Sequence, residues 1–249
     1  MINEIINIVH ECGEIMLEAT DIQRKIHQKE GKGNFVTDYD SKVQAVLKEK
    51  LLFLLPEAIF YAEEDDADKA DISQGYAFIV DPIDGTANFT RGLDHSCISV
   101  ALAKDGYPIM GVVYNPYKQE TYHAEKGQGA YLNGTPIHIS DKTLEDGLVF
   151  FGTAPYNVEL GPKTIEMISR YFQRTQDIRR SGSAALDLCT VASGKAELYF
   201  ELILSPWDYA AGALIVEEAG GIVSAPDGTP LTFDKKQAVV ARAPRAELL

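Results

Sequence analysis

Cysteine is scarce: Cys12, Cys97 and Cys189 are the only three in 249 residues, widely separated and without a CxxC pair. That excludes a disulfide framework and a zinc-thiolate site, and reduced, buried thiols are expected. Long hydrophobic runs are missing too, and the opening MINEIINIVHEC has neither a basic leader nor a continuous apolar stretch. A cytoplasmic location without membrane contact is the expectation. Positive charge is in short supply: 23 Lys and Arg face 37 acids, a net charge of −14, which argues against nucleic acid or an anionic membrane as a direct partner. Repeats, low-complexity segments and Pro/Gly/Ser linkers are also lacking.

What is present is an ordinary globular composition, 45% apolar and 24% charged, on a chain long enough for one large domain or two closely packed halves. Ile2, Ile5, Ile6, Val9, Met16 and Leu17 keep the spacing of an amphipathic helix. A second helix is expected from about Ser41 to Leu55, stopped by Pro56. From Ala58 to about Ile139 short β-rich runs (AIFYA, AFIVD, CISVALA, IMGVVY, ETYHAE, AYL) predict antiparallel hairpins, with turns at Asp105-Gly106 and Asn133-Gly134. Beyond Ser140 strands and helices alternate, with helices near 163–172, 184–192 and 208–219. The expected fold is α/β (α+β), a layered αβαβα sandwich. Residues 1–140 would form an α plus antiparallel β portion and 141–249 an α/β portion with a mixed sheet, folding as one compact unit.

The most informative stretch is AFIVDPIDGTANF, residues 77–89. A buried-looking strand ends at Asp81, Pro82 keeps Asp81 extended, and Gly85 allows a tight bend after Asp84. N–H groups beyond such a bend can receive a phosphate, although Asp-Pro and Asp-Gly also make ordinary turns. The acidic run Glu63-Glu64-Asp65-Asp66 follows the strand AIFYA, so that Glu63 could approach Asp81; Asp65 and Asp66 read as solvated loop. Asp208 stands at a helix start after Pro206-Trp207, where it could equally cap the first turn. Together these acids supply hard oxygen ligands without Cys or His, favouring Mg²⁺ over Zn²⁺. Such ions would also reverse the local field, so that a very acidic protein could attract a phosphate.

Asp81-Pro82-Ile83-Asp84-Gly85-Thr86 with Asn88-Phe89, Trp207-Asp208-Tyr209-Ala210-Ala211-Gly212 and Glu218-Ala219-Gly220-Gly221 resemble the inositol monophosphatase family. Val36-Thr37 with Asp40, Glu63-Glu64 and Gly182-Ser183-Ala184-Ala185 fall in the same order, so the resemblance covers nearly the whole chain. It implies that Glu63, Asp81, Asp84, Asp208 and the carbonyl of Ile83 hold two or three Mg²⁺ ions, with Asp81 bridging. Thr86 paired with Asp40 would orient and deprotonate the attacking water, with Glu63 also among the catalytic groups. Gly85 and Thr86 would offer N–H groups to the phosphate. Gly182, Ser183, Ala184, Glu201, Asp84 and Asp208 would line the substrate pocket, although Glu201 could be an exposed strand end and Gly182-Ser183 a turn and helix cap.

The implied reaction is hydrolysis of a small phosphate monoester by metal-activated water, with no covalent intermediate and no organic cofactor. Myo-inositol monophosphate leads, ahead of fructose 1,6-bisphosphate, NADP and 3′-phosphorylated nucleotides. A homodimer and lithium sensitivity are implied as well. The competing reading is a regulatory, protein-binding scaffold on a phosphatase fold. Ala62, Gln44, Arg91 and Asp94 depart from the family's usual residues; Ala62 and Gln44 remove no implied metal ligand, while Arg91 and Asp94 bear on substrate preference and loop shape more than on hydrolysis. The histidines make no metal spacing, and Arg179-Arg180 read as partners for nearby acids.

Overall fold

Helix α1 (Ile2–Leu17) forms where the apolar stripe predicts it, and Ile5, Val9, Cys12 and Met16 are the residues it buries. The computed structural model describes residues 1–28, 35–65 and 71–249; Asp66, read above as loop, lies outside them. Short strands β1 (Ile26–Gln28) and β2 (Phe35–Thr37) pair antiparallel, and neither is long enough to show an alternation in the sequence. Helix α2 (Asp38–Leu54) starts three residues before the expected Ser41. Thr37 and Asp40 explain the early start: the Thr37 hydroxyl accepts from the N–H groups of Tyr39 and Asp40, and the Asp40 carboxylate accepts from the Thr37 N–H at 2.7 Å. This reciprocal capping satisfies donors the first turn would leave orphaned.

Seven strands follow in one sheet: β3 (Ile59–Ala62), β4 (Tyr76–Asp84), β5 (Cys97–Lys104), β6 (Tyr107–Asn115), β7 (Glu120–Glu125), β8 (Ala130–Leu132) and β9 (Thr135–Ile137), in sequence order. Asp105-Gly106 and Asn133-Gly134 turn their hairpins with φ of 50° and 83°, and of 50° and 76°, the left-handed pairs that match strand twist. The expectation of antiparallel pairing throughout needs one correction, since β3 runs parallel to β4. The two strands lie too far apart in the sequence for a tight hairpin, and parallel neighbours need such a separation. Helix α3 (Thr86–Arg91) follows β4 directly and, at six residues, is too short to leave a periodic pattern.

The second sheet has the order β11-β10-β12-β14-β13, from β10 (Leu148–Phe151), β11 (Asp177–Arg179), β12 (Leu198–Leu204), β13 (Ile222–Ser224) and β14 (Gln237–Arg242). It is mixed, as expected: β10 lies parallel to β11 and β12, while β14 is antiparallel to β12 and β13. Helices α4 (Gly161–Phe172), α5 (Ala184–Ala192) and α6 (Pro206–Glu218) complete the chain.

Burial sets the layers. Phe78, Val80, Ile98, Val100 and Leu102 pack with α1 and α2, while the alternate residues Ala77, Ile79, Cys97, Ala101 and Ala103 pack with α5 and α6. Tyr171 on α4 packs with Val149, Leu198, Phe200 and Val240. The order is therefore αβαβα, with α5 and α6 between two sheets. That position explains why α6 is apolar nearly all round. Gly111 makes the contact close, because a Cβ there would stand 2.8 Å from the Ala211 carbonyl oxygen. No helix among the described residues is long and apolar enough to cross a membrane.

Candidate active site

A break in strand pairing builds the centre of the site. Strand β4 does not end at Asp81 but continues through Pro82 to Asp84. Its register against β5 slips on the way, with Asp81 opposite Ser99 and Asp84 opposite Cys97. Residues three apart on a regular strand face opposite ways; here three steps on β4 match two on β5, so Asp81 and Asp84 share the face of Cys97 and Ser99. Pro82, which has no N–H to donate, sits inside the bulge. Both acids thus point towards α5 and α6. Gly85, at φ 87°, then turns the chain into α3.

The other acids arrive from separate elements. The Glu63 N–H donates to the Val80 carbonyl at 3.2 Å, which places Glu63 one step beyond β3 and beside Asp81. Gln44 holds this turn through its side chain, accepting from the Glu64 N–H and donating to Asp65, both at 3.1 Å. Asp65 is exposed and paired with Lys48, as a solvated loop residue should be. Asp208 both caps and faces the site: Oδ2 accepts from the Ser205 N–H at 2.7 Å, and the residue lines the same cavity as Glu63 and Asp84. That cavity, about 160 Å³, is bordered by the first turns of α3, α5 and α6 at Thr86, Ala184 and Asp208. Their N-terminal partial positive charges favour an anion.

Four acids in one place repel one another. Burial, then the charges of Glu63, Asp84 and Asp208, push Asp81 well above the ordinary carboxylate range. Asp208 is raised by burial and by Glu63 and Asp84, although its Ser205 hydrogen bond acts against this. Asp84 is raised by burial and held back by its donors: the Ser183 hydroxyl, with which it makes a very short hydrogen bond, and the Ala185 N–H at 2.8 Å. Among the described residues no Lys or Arg forms an ion pair with Asp81, Asp84 or Asp208.

Thr86 and Asp40 lie beside this cluster. Thr86 Oγ1 is 3.3 Å from Asp40 Oδ1 and 3.0 Å from the Ile83 carbonyl. Asp40 is 1% exposed, and burial raises it to about 6 even though Thr37 donates to its other oxygen. A carboxylate at that value is a base matched to near-neutral pH.

The Gly182-Ser183-Ala184 segment meets the Gly85 turn so closely that a Cβ at Gly85 would stand 3.2 Å from the Gly182 carbonyl oxygen. Asn88 ties the two together by donating to the carbonyls of His95 and Ser181 at 2.7 and 3.0 Å. Ser183 caps α5 by accepting from the Leu186 N–H while donating to Asp84, and it also lines the cavity. Glu201 is buried rather than an exposed strand end. It accepts from the Ala154 N–H and the Tyr199 hydroxyl, each at 2.8 Å.

Among the cavity-wall residues that sequence reasoning missed are Gly152, Tyr156, Arg180 and Asp187. Arg179 pairs with Asp177 as expected, whereas Arg180 turns to the cavity. Asp187 is 2% exposed with Oδ1 unpartnered, and burial raises it well above its usual value. Its position four residues after the Ser183 cap was the one available signal.

This arrangement can be set beside known proteins. The model of the "Inositol monophosphatase family" matches residues 1–249. The chain belongs to the inositol monophosphatase family. Membership makes it a phosphatase of the Mg²⁺-dependent kind. An "Inositol-1-monophosphatase" of Synechocystis is 38% identical over 84% of this chain and 72% of its own length. "Nus factor SuhB" of Escherichia coli is 34% identical over 90% and 84%. Among solved structures, the extragenic suppressor protein suhB of Bartonella henselae superposes with a TM-score of 0.89 at 29% identity, covering 98% of this chain and 93% of that one. SaIMPase-II bound to inositol monophosphate gives 0.83 at 27% identity, covering 98% and 90%, and its 2′AMP complex gives 0.85 at 28%, covering 98% and 89%.

The family's metal can be tested against this donor set. Among the described residues no three His, Cys, Asp or Glu side chains close on one point as a finished cage; Asp84 and Asp208 each spend an oxygen on local donors. The chemistry of the set nevertheless fits Mg²⁺: carboxylates and a backbone carbonyl are hard oxygen ligands, and a cation would relieve the burial and repulsion that raise Asp81, Asp84 and Asp208. Cys97 stands behind Asp84 with its thiol pushed up by burial, a neutral neighbour rather than a soft ligand.

Proposed function

We propose that this inositol monophosphatase family member hydrolyses myo-inositol monophosphate to inositol and phosphate. The observation that carries this is the β4 bulge, which turns Asp81 and Asp84 to one face beside the Thr86–Asp40 pair. Glu63, Asp81, Asp84, Asp208 and the Ile83 carbonyl would hold two or three Mg²⁺ ions. Bound Mg²⁺ supplies positive charge that neutralises the phosphate and makes nearby water more acidic. Thr86 Oγ1 orients the attacking water and Asp40 Oδ1 takes up the proton, while the N–H groups of Gly85 and Thr86 hold the phosphate oxygens. Glu63 would be a further catalytic group at the water. Gly182, Ser183, Ala184, Glu201 and Asp208 would receive the alcohol.

A cavity of about 160 Å³ is below the ~300 Å³ at which drug-sized pockets begin, which supports a compact polyol over a dinucleotide such as NADP. The inositol monophosphate bound to SaIMPase-II supports the same choice. Its 2′AMP complex keeps nucleotide monophosphates beside fructose 1,6-bisphosphate as alternatives. A homodimer and inhibition by Li⁺ go with this reading. The test is phosphate release from a panel of inositol phosphates, fructose 1,6-bisphosphate, NADP and 3′-phosphorylated nucleotides, with Mg²⁺, with EDTA and with Li⁺. One inositol monophosphate should lead; preference for another ester would replace the substrate.

The hydrogen bond from Ser183 to Asp84 yields a prediction about the metal site. Ser183→Ala should weaken Mg²⁺ binding by about tenfold, the usual cost of losing a group that orients a ligand, and Ser183→Thr should restore it. Calorimetric titration of Mg²⁺ reads both; equal affinity in all three proteins would remove Ser183 from that role.

The relatives named "Nus factor SuhB" favour a second reading, a regulatory role through a protein partner. The net charge of −14 points away from direct nucleic-acid contact. A partner recovered equally by wild type and Asp84→Asn would support a role independent of catalysis.

A further inference from the structure

The segment after β10 is held in place by interactions that do nothing for the metal cluster. Gly152 N–H donates to the Phe200 carbonyl at 3.0 Å, and the Asn157 N–H closes a turn on the Ala154 carbonyl at 2.8 Å. Ala154, a buried non-glycine residue, takes φ 39°, a left-handed conformation that costs of order 1 kcal/mol or more unless its surroundings impose it. Glu201 imposes it, by accepting the Ala154 N–H from below. Glu201 itself fits there only because residue 152 lacks a side chain: a Cβ at Gly152 would stand 1.8 Å from Glu201 Oε2. The turn so fixed carries Tyr156 onto the cavity wall, with the residue 41% exposed.

We propose that Tyr156 is a specificity-determining contact for the alcohol half of the substrate, favouring a polyhydroxylated alcohol. The inference rests on the phosphatase reading of the cavity and adds a residue to it. Tyr156 lines the cavity together with Asp208, Glu201, Glu63 and Asp84, and its phenol O–H is a hydrogen-bond donor at neutral pH. Glu201, with about four lone-pair sites and two used, still accepts. A substrate hydroxyl between them accepts from Tyr156 and donates to Glu201 at once. An alcohol with no further hydroxyl leaves the Tyr156 donor and the remaining acceptor sites of Glu201 unused, and sites built to hydrogen-bond a hydroxyl discriminate strongly for that reason.

The test is Tyr156→Phe, which keeps the ring and removes the donor. The ratio of kcat/KM for myo-inositol monophosphate to that for p-nitrophenyl phosphate should fall about fivefold, the usual scale for one neutral hydrogen bond. Calorimetric titration of myo-inositol into the protein with Mg²⁺ and inorganic phosphate should weaken by a similar factor. Val158→Ala, at a position 72% exposed beyond the turn, should leave both readings at wild-type values. An unchanged ratio or an unchanged inositol affinity in Tyr156→Phe would overturn the proposal. Failure of the wild type to release phosphate from p-nitrophenyl phosphate would count against the phosphatase reading, and the titration would still report on Tyr156.

Discussion

Asp81→Asn is expected to reduce Mg²⁺-dependent turnover by on the order of a thousandfold, the scale of losing a major source of transition-state charge stabilisation, while making the metal-free protein more stable. The second half follows from repulsion. Asp81 is 2% exposed and raised by burial and by Glu63, Asp84 and Asp208, so a neutral amide of similar size relieves a cost the fold otherwise bears. At about 2–4 °C per kcal/mol for a chain of this size, a rise of several degrees in Tm is expected in EDTA.

The pH dependence has a definite sign. Asp81, Asp84 and Asp208 have raised folded-state values, so the folded chain keeps protons that the unfolded chain has released. Their contribution is most favourable at low pH and is lost as pH rises through the folded values. At the proposed metal site Mg²⁺ would take the place of those protons, and should raise Tm more at pH 8 than at pH 5.5. A ligand at a hundred times its Kd adds about 2.7 kcal/mol. Full turnover in Asp81→Asn, or a Tm below wild type in EDTA, would contradict this account.

Asp40→Asn should separate proton transfer from metal binding. Loss of the base is expected to lower kcat by about a hundredfold or more while the Mg²⁺-induced rise in Tm is retained, because Asp40 is hydrogen-bonded to Thr37 and Thr86 and its charge raises Asp81 less than those of Glu63, Asp84 and Asp208 do. In the wild type, kcat/KM should fall about tenfold per pH unit once pH drops below the value of about 6 for Asp40, since only the ionised form accepts a proton. A pH profile of kcat/KM for both proteins reads this directly; an acid limb that survives unaltered in Asp40→Asn would assign it to another group.

Much of the chemistry was legible because it is local. Asp81, Asp84 and Thr86 lie within six residues, Asp208 follows Pro206 at a helix start, and the two hairpin turns are dipeptides with their own backbone preference. What escaped was produced by distant partners. The slip between β4 and β5 that puts Asp81 and Asp84 on one face depends on Cys97 and Ser99. The parallel pairing of β3 depends on where a long connection returns. Glu201 read as either pocket or surface until Gly152 and Ala154 stood against it. Tyr156 gave no signal at all, because a loop tyrosine becomes part of a cavity only through the turn that aims it.

The claim that matters most is that the acids around the β4 bulge run a metal-dependent phosphatase. The most direct measurement is inorganic phosphate released from p-nitrophenyl phosphate by wild type and Asp81→Asn, each with Mg²⁺ and after EDTA. Release by the wild type in Mg²⁺ alone, with Asp81→Asn silent in both conditions, is the predicted result. Release that persists in EDTA, or that Asp81→Asn matches in Mg²⁺, would contradict it.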